Sequence, residues 1–187
     1  MDLRTFLMQS NDLAQWGNVD EFASRWSVER VMTKTHIVRQ EDAATDEFML
    51  MDGQLASTIC DPDGKEVCVG LYVGPCVVTP VIARTRAGRS LVSITATTDA
   101  KIARIDSEVL TQLMILLEPI RDWANGVLRD ALSQKADREW CLAALGGSDR
   151  LAWFRETYPE HEDIFNHTLI ASFLGVTPVT LSRLRHS

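Results

Sequence analysis

Near Asp106 the hydrophobic periodicity of this chain changes from an alternation of two to the spacing of a helix. In "RVMTKTHIV" (30–38), Val31, Thr33, Thr35 and Ile37 alternate with Met32, Lys34, His36 and Val38, and "LVSITA" (91–96) alternates likewise. Turn signals punctuate this half at Asp52-Gly53, "DPDG" (61–64), Gly74-Pro75, "RAGR" (86–89) and Thr98-Asp99, roughly one every ten to thirteen residues. Short strands at that rhythm build a β-sandwich, jelly roll or barrel. Ahead of them, Val19, Phe22, Ala23 and Trp26 fall at helical spacing and predict a short helix packed on the β body.

Beyond Asp106 the pattern is helical. Ser107 is placed to cap a helix running to Leu117, and Pro119 suits the first turn of the next, where its missing N–H removes no bond. From Ile120 onward, Ala124, Val127 and Ala131 form a seam of three- and four-residue steps continuing toward Trp140 and Leu145. That length predicts a helix that pairs two subunits in a coiled-coil-like manner, against the alternative of a single core helix packed on its own domain. Gly146-Gly147 then breaks the helix, and Ser148 or Asp149 is placed to cap another, with Leu151, Phe154 and Tyr158 on one face and Pro159 as its stop. "EHEDIFNH" reads as a linker or single turn. The expected organisation is α+β: a β-roll or jelly-roll domain with flanking helices over 1–118, a dimerisation helix over 119–145, and a small helical domain over 146–187.

The 187 residues suffice for a substantial core, and 45% hydrophobic with 24% charged residues is ordinary for a globular protein. A net charge of −7 argues against indiscriminate coating of nucleic acid but allows a local basic surface. No apolar run reaches membrane-spanning length, and "MDLRTFLMQSND" lacks the form of a signal peptide. Cys60, Cys68, Cys76 and Cys141 contain no CxxC pair and are expected as reduced thiols in the cytoplasm. Cys60 and Cys68 flank the turn "DPDGKEV", where a redox pair across a hairpin is a minor alternative.

The segment "LIASFLGVTPVTLSRLR" (169–185) meets the demands of a helix-turn-helix position by position. Ile170 and Leu174 lie one turn apart and face inward, Ala171 is small at the closest approach, and Gly175 allows the left-handed turn. Val176 fills the elbow, Thr177 caps the second helix, Pro178 occupies its first position, and Leu181 and Leu184 anchor it. Its outward face carries Val179, Thr180, Ser182, Arg183, Arg185 and His186, and no acid occurs from Ile164 to Ser187. On an acidic chain that local reversal of sign is what a DNA-facing element requires.

With this motif behind a β-roll, a long helix and a glycine hinge, the chain resembles the Crp–Fnr superfamily of bacterial transcription regulators. The likeness runs from about Asn18 to the end, and "DEFMLMDGQLASTICDPDGKEVCVGLYVGP" (46–75) is similar to the front of the family's cyclic-nucleotide-type sensor domain. The resemblance implies a homodimer on double-stranded DNA, with RNA polymerase as a candidate partner. Of the family's base-reading positions, which fall on Pro178, Val179 and Arg183, only Arg183 keeps a base-reading side chain. Thr177, Thr180 and Ser182 are candidate phosphate or base-edge contacts, and Arg185 a phosphate contact. With the sequence stopping at Ser187, the β wing that follows this helix in many members is not expected.

Family members that bind cyclic nucleotides carry a Gly-Glu pair and, further on, an Arg-Ser pair. Here Pro80-Val81 stands near the first pair, no acid lies between Val67 and Thr98, and "GRS" (88–90) offers an Arg-Ser one residue out of register. Cyclic AMP is therefore not expected as a ligand. Arg84, Arg86, Arg89 and Ser90 are candidates for another small anionic effector of unknown identity, against the alternative of a solvated basic loop. No metal or other cofactor is expected: His36 is the one histidine of the β domain, and the cysteines do not cluster. No nucleophile–base motif, GxSxG or phosphate-cradling loop occurs, so an enzyme is not expected. The rival reading is a sensor module of the same fold whose helix-turn-helix contacts protein rather than DNA.

Overall fold

The computed structural model describes residues 1–186. Three short helices, α1 (Leu3–Leu7), α2 (Asn11–Ala14) and α3 (Val19–Ser24), precede the β region. Strands β1 (Ser27–Val31), β2 (His36–Val38), β3 (Asp46–Asp52), β4 (Gln54–Cys60), β5 (Glu66–Val73) and β6 (Cys76–Val77) lead to one helical turn, α4 (Val81–Arg84). A small hairpin, β7 (Thr85–Arg86) with β8 (Arg89–Ser90), follows, then β9 (Ser93–Ala96) and β10 (Ala100–Asp106). The sheets run β1-β10-β3-β6 and β2-β9-β4-β5. The C-terminal half holds α5 (Ser107–Leu116), α6 (Glu118–Ala144), α7 (Gly147–Thr157), α8 (His161–Ile164), α9 (His167–Phe173) and α10 (Pro178–Arg185). The α+β architecture expected from the sequence is the one observed.

The alternating run 30–38 is not one strand. It breaks after Val31, with Lys34 at φ 67°, and resumes as β2 in the other sheet. Alternation alone cannot distinguish a single strand from two that share their parity across a corner. β3 explains why "FMLM" is continuously apolar: Met49 and Met51 join Phe22, Trp26 and Trp123 in the core beneath the helices. Phe48 and Leu50, on the opposite face by alternation, are buried too. Gly53, at φ +90°, is required at its turn because a Cβ there would lie 2.5 Å from the Asp99 carbonyl oxygen.

Two compact units divide the chain: residues 1–57 with 71–132, and residues 58–70 with Ser133 onward. The division falls within α6 and assigns the tip of the β4–β5 hairpin to the second unit, so these units do not coincide with the three segments expected from sequence.

Several local expectations are corrected. The cap of α5 is Asp106, whose carboxylate accepts from the N–H groups of Glu108 and Val109, and Ser107 is the first helical residue. Gly146 takes the cap position of α7 without a side-chain bond, and Ser148 and Asp149 lie inside the helix. The seam through Ile120 faces inward. Ile120 is fully buried, with Ala124 and Val127 packed against the same core, because the sheet and α3 already cover that side of the helix. What α6 leaves open in the first unit is a groove bordered by Asn125, Leu128 and Leu132, the last 54% exposed.

Candidate nucleic-acid interface

Within the second unit, Asn166 caps α9 by accepting from the Leu169 N–H at 2.9 Å. The chain turns at Gly175, φ +65°, where a Cβ would meet Arg150 Nη1 and Leu142 Cδ2, both at 3.2 Å. Thr177 then caps α10, its Oγ1 accepting from the Thr180 N–H at 3.1 Å, and Pro178 opens the helix. Ile170, Ala171, Leu174 and Leu181 are buried, packing this pair on Leu151 and Phe154 of the same unit.

Arginines that the sequence did not single out hold the unit together. Arg150 donates to the carbonyls of Leu142 and Leu145, the otherwise unpaired C-terminal acceptors of α6, and to Leu174 at the turn. Arg138 donates to the carbonyls of Cys68 on the hairpin and Phe173 on α9, with its guanidinium 4.7 Å above the Phe173 ring. The Cys68 N–H in turn donates to Ser172 Oγ at 2.8 Å. Burial pushes the Cys68 thiol up to about 11, so it remains protonated. Neither Cys60 nor Cys68 is in a disulfide.

The outer face of α10 is open. Val179 is 61% exposed, and Thr177, Pro178, Thr180, Ser182 and Arg183 are exposed as well. Val179 and Arg183, four residues apart, share a face opposite Leu181. Arg183 makes no side-chain hydrogen bond or ion pair among the described residues, leaving its planar fork of donors unengaged.

Arg185 is placed differently. Its Nε donates to Glu162 at 2.8 Å and its Nη1 to His167 Nδ1 at 3.1 Å. His167 is thereby the Nε2–H tautomer, which donates to the Pro178 carbonyl at 2.6 Å and ties the start of α9 to the start of α10. Glu162 also receives Arg155, whose hydrogen bond, reinforced by both arginine charges, holds the carboxyl below its ordinary range. Glu162 and His167 escaped the sequence reading, because neither spacing nor composition signals a contact that only the folded helix crossing creates.

In the β-roll, the four candidate effector residues point to different tasks. Arg84 is only 2% exposed; its Nε donates to the Thr79 carbonyl and its Nη2 to that of Asp46, with the guanidinium over the Phe48 ring. Arg86 and Arg89 are exposed on the β7–β8 hairpin, where Arg89 donates to the Glu41 carbonyl. Ser90 is buried and donates to the Val92 carbonyl. Among the described residues, no three His, Cys, Asp or Glu side chains gather as a metal site.

A β-roll followed by a long helix and a C-terminal helix-turn-helix is the fold of the Crp–Fnr regulators, and solved structures of that type match it. FixK2 from Bradyrhizobium japonicum aligns with a TM-score of 0.75 at 15% identity, covering 86% of this chain and 83% of its own. CLP of Xanthomonas campestris, described as a c-di-GMP responsive global regulator, gives 0.71 at 17% identity over 91% and 89%. CooA from Carboxydothermus hydrogenoformans gives 0.71 at 17% identity over 96% and 80%. No protein-family model matches the chain, and no curated protein matches it significantly in sequence. No described helix is long and apolar enough to cross a membrane.

Proposed function

We propose that this protein is a sequence-specific DNA-binding transcription regulator that acts as a homodimer and does not respond to cyclic AMP. The observation that carries the reading is α10: a capped, acid-free helix seated on a packed turn, presenting Val179, Thr180, Ser182 and the unengaged Arg183 outward. In this reading α10 enters the major groove and Arg183 reads a guanine edge. Thr177, Pro178, Thr180 and Ser182 lie along the phosphates or base edges. Arg185, with its charge answered by Glu162, contributes less to phosphate than its sequence position suggests.

Dimerisation would occupy the groove of Asn125, Leu128 and Leu132 on α6, a seam rotated from the one through Ile120. Independence from cyclic AMP is supported by the roll's own bonding. Arg84 and Ser90 are already engaged with backbone carbonyls, and the hydroxyls of Thr79, also part of that network, and Tyr72 share a hydrogen bond of 2.8 Å. Of the candidate effector residues, Arg86 and Arg89 remain the exposed cations for an anion.

The test is selection of genomic fragments by the purified protein at physiological salt. Recovery of a pseudo-palindrome with half-sites about one helical turn, ~34 Å, apart supports both dimer and reader. Recovery without sequence preference contradicts them.

A further inference from the structure

A cavity of about 410 Å³ lies in the first unit, outside the site described above, between the outer face of the β1-β10-β3-β6 sheet and the helices α4, α5 and α6. Its volume is within the range of small-molecule sites, ~300–1,000 Å³. Trp26, Trp123, Leu110, Met114 and Val127 give it an apolar, polarisable wall. The two indoles are edge to face, with centroids 6.4 Å apart.

Glu47 is the one ionisable residue lining this cavity. Each of its carboxylate oxygens lies within 3.0 Å of the Val81 backbone N–H, a single donor at the start of α4. One donor leaves most of the lone pairs of a carboxylate unanswered. Arg84 lies within electrostatic reach, yet its hydrogen bonds go to the carbonyls of Thr79 and Asp46 rather than to Glu47. The cavity thus combines a single negative charge with aromatic faces, and those two features favour the same kind of guest. Arg84 answers Glu47 through its charge alone, so the carboxylate oxygens keep acceptor sites for a donor on the guest, and an indole face attracts a cation.

We propose that this cavity binds a small organic cation of the arylalkylamine class, its ammonium group donating to Glu47 and its ring packed among Trp26, Trp123 and Met114. The site is separate from the helix-turn-helix, so it stands or falls apart from DNA binding, while Asn125 and Leu128 line both it and the groove proposed for the dimer partner.

Three probes with one skeleton and different charge test it on the full-length protein by calorimetry at neutral pH: phenylpropylamine, phenylpropanol and phenylpropanoate. The amine should bind at least about tenfold more tightly than the alcohol, as for a charge-assisted hydrogen bond, and the carboxylate not at all. Glu47→Gln should bring amine and alcohol to equal affinity, and Ala124→Phe, which fills the cavity, should abolish binding of both with the circular dichroism unchanged. If Glu47→Gln does not fold, the charge series on the unaltered protein decides alone. Equal binding of amine and alcohol to that protein, an amine preference that survives Glu47→Gln, or binding that survives Ala124→Phe overturns the proposal. So does the absence of any binding, including absence because a second copy of the chain closes the cavity.

Discussion

Arg183 and Arg185 stand two residues apart on one short helix, and their surroundings give them different tasks. Arg183 is exposed and unengaged, whereas Arg185 is held by Glu162 and His167. Replacing Arg183 with Ala should cost about 1–3 kcal/mol of DNA affinity and relax preference at one base pair, measured by anisotropy on a panel of single-substitution sites. Arg185→Ala should lower DNA affinity less and the melting temperature more. Glu162 supplies a pH signature. Its carboxyl sits below the ordinary value of 4.5 through the Arg155 hydrogen bond, so the folded state binds protons less readily than the unfolded chain. Its stabilisation is therefore complete above that value and lost as pH falls through the lower, folded one. Melting curves taken from neutral pH down past 4.5 should show the wild type losing more stability than Glu162→Gln. At this scale the sequence revealed Gly175, Thr177 and Leu181, whose roles follow from local turn and cap chemistry. Glu162 and His167 were hidden because their partners lie far along the chain.

At the scale of elements, α6 shows where periodicity stops being informative. Its apolar residues cover more than one face, and the one seam of regular spacing, Ile120 to Val127, is taken by the protein's own core. Spacing finds a stripe but not the surface that buries it. Leu132→Asp should therefore abolish self-association in sedimentation while leaving the protomer's circular dichroism intact. Val127→Asp should instead unfold the first unit. The hairpin tip of the second unit was also out of reach of the sequence, since Arg138 joins Cys68 to Phe173 across long separations. Removing that guanidinium leaves two carbonyls without their charged donor, and Arg138→Ala should cost about 2–3 kcal/mol in urea unfolding. Arg138→Lys should recover only part, because an ammonium cannot stack over the Phe173 ring as the planar guanidinium does.

For the whole molecule, the change of periodicity near Asp106 and the regular turns were enough to specify a β-roll followed by helices, because both are properties of the local pattern. The corner that splits residues 30–38 between two sheets was not, since it depends on which strands pair. The same fold is found in solved structures at 15–17% identity, so the fold alone leaves the surfaces free to differ. Function lies on those surfaces, and here one helix of an acidic chain carries the claim. The most direct test is a salt titration of binding to a selected pseudo-palindromic site and to a scrambled duplex, with Arg183→Ala measured alongside. A DNA reader should show log K falling linearly with log salt on both duplexes. The selected site should remain at least about a thousandfold preferred, with much of that preference lost in the variant. Equal affinity for the two duplexes, or binding indifferent to salt, would contradict the assignment.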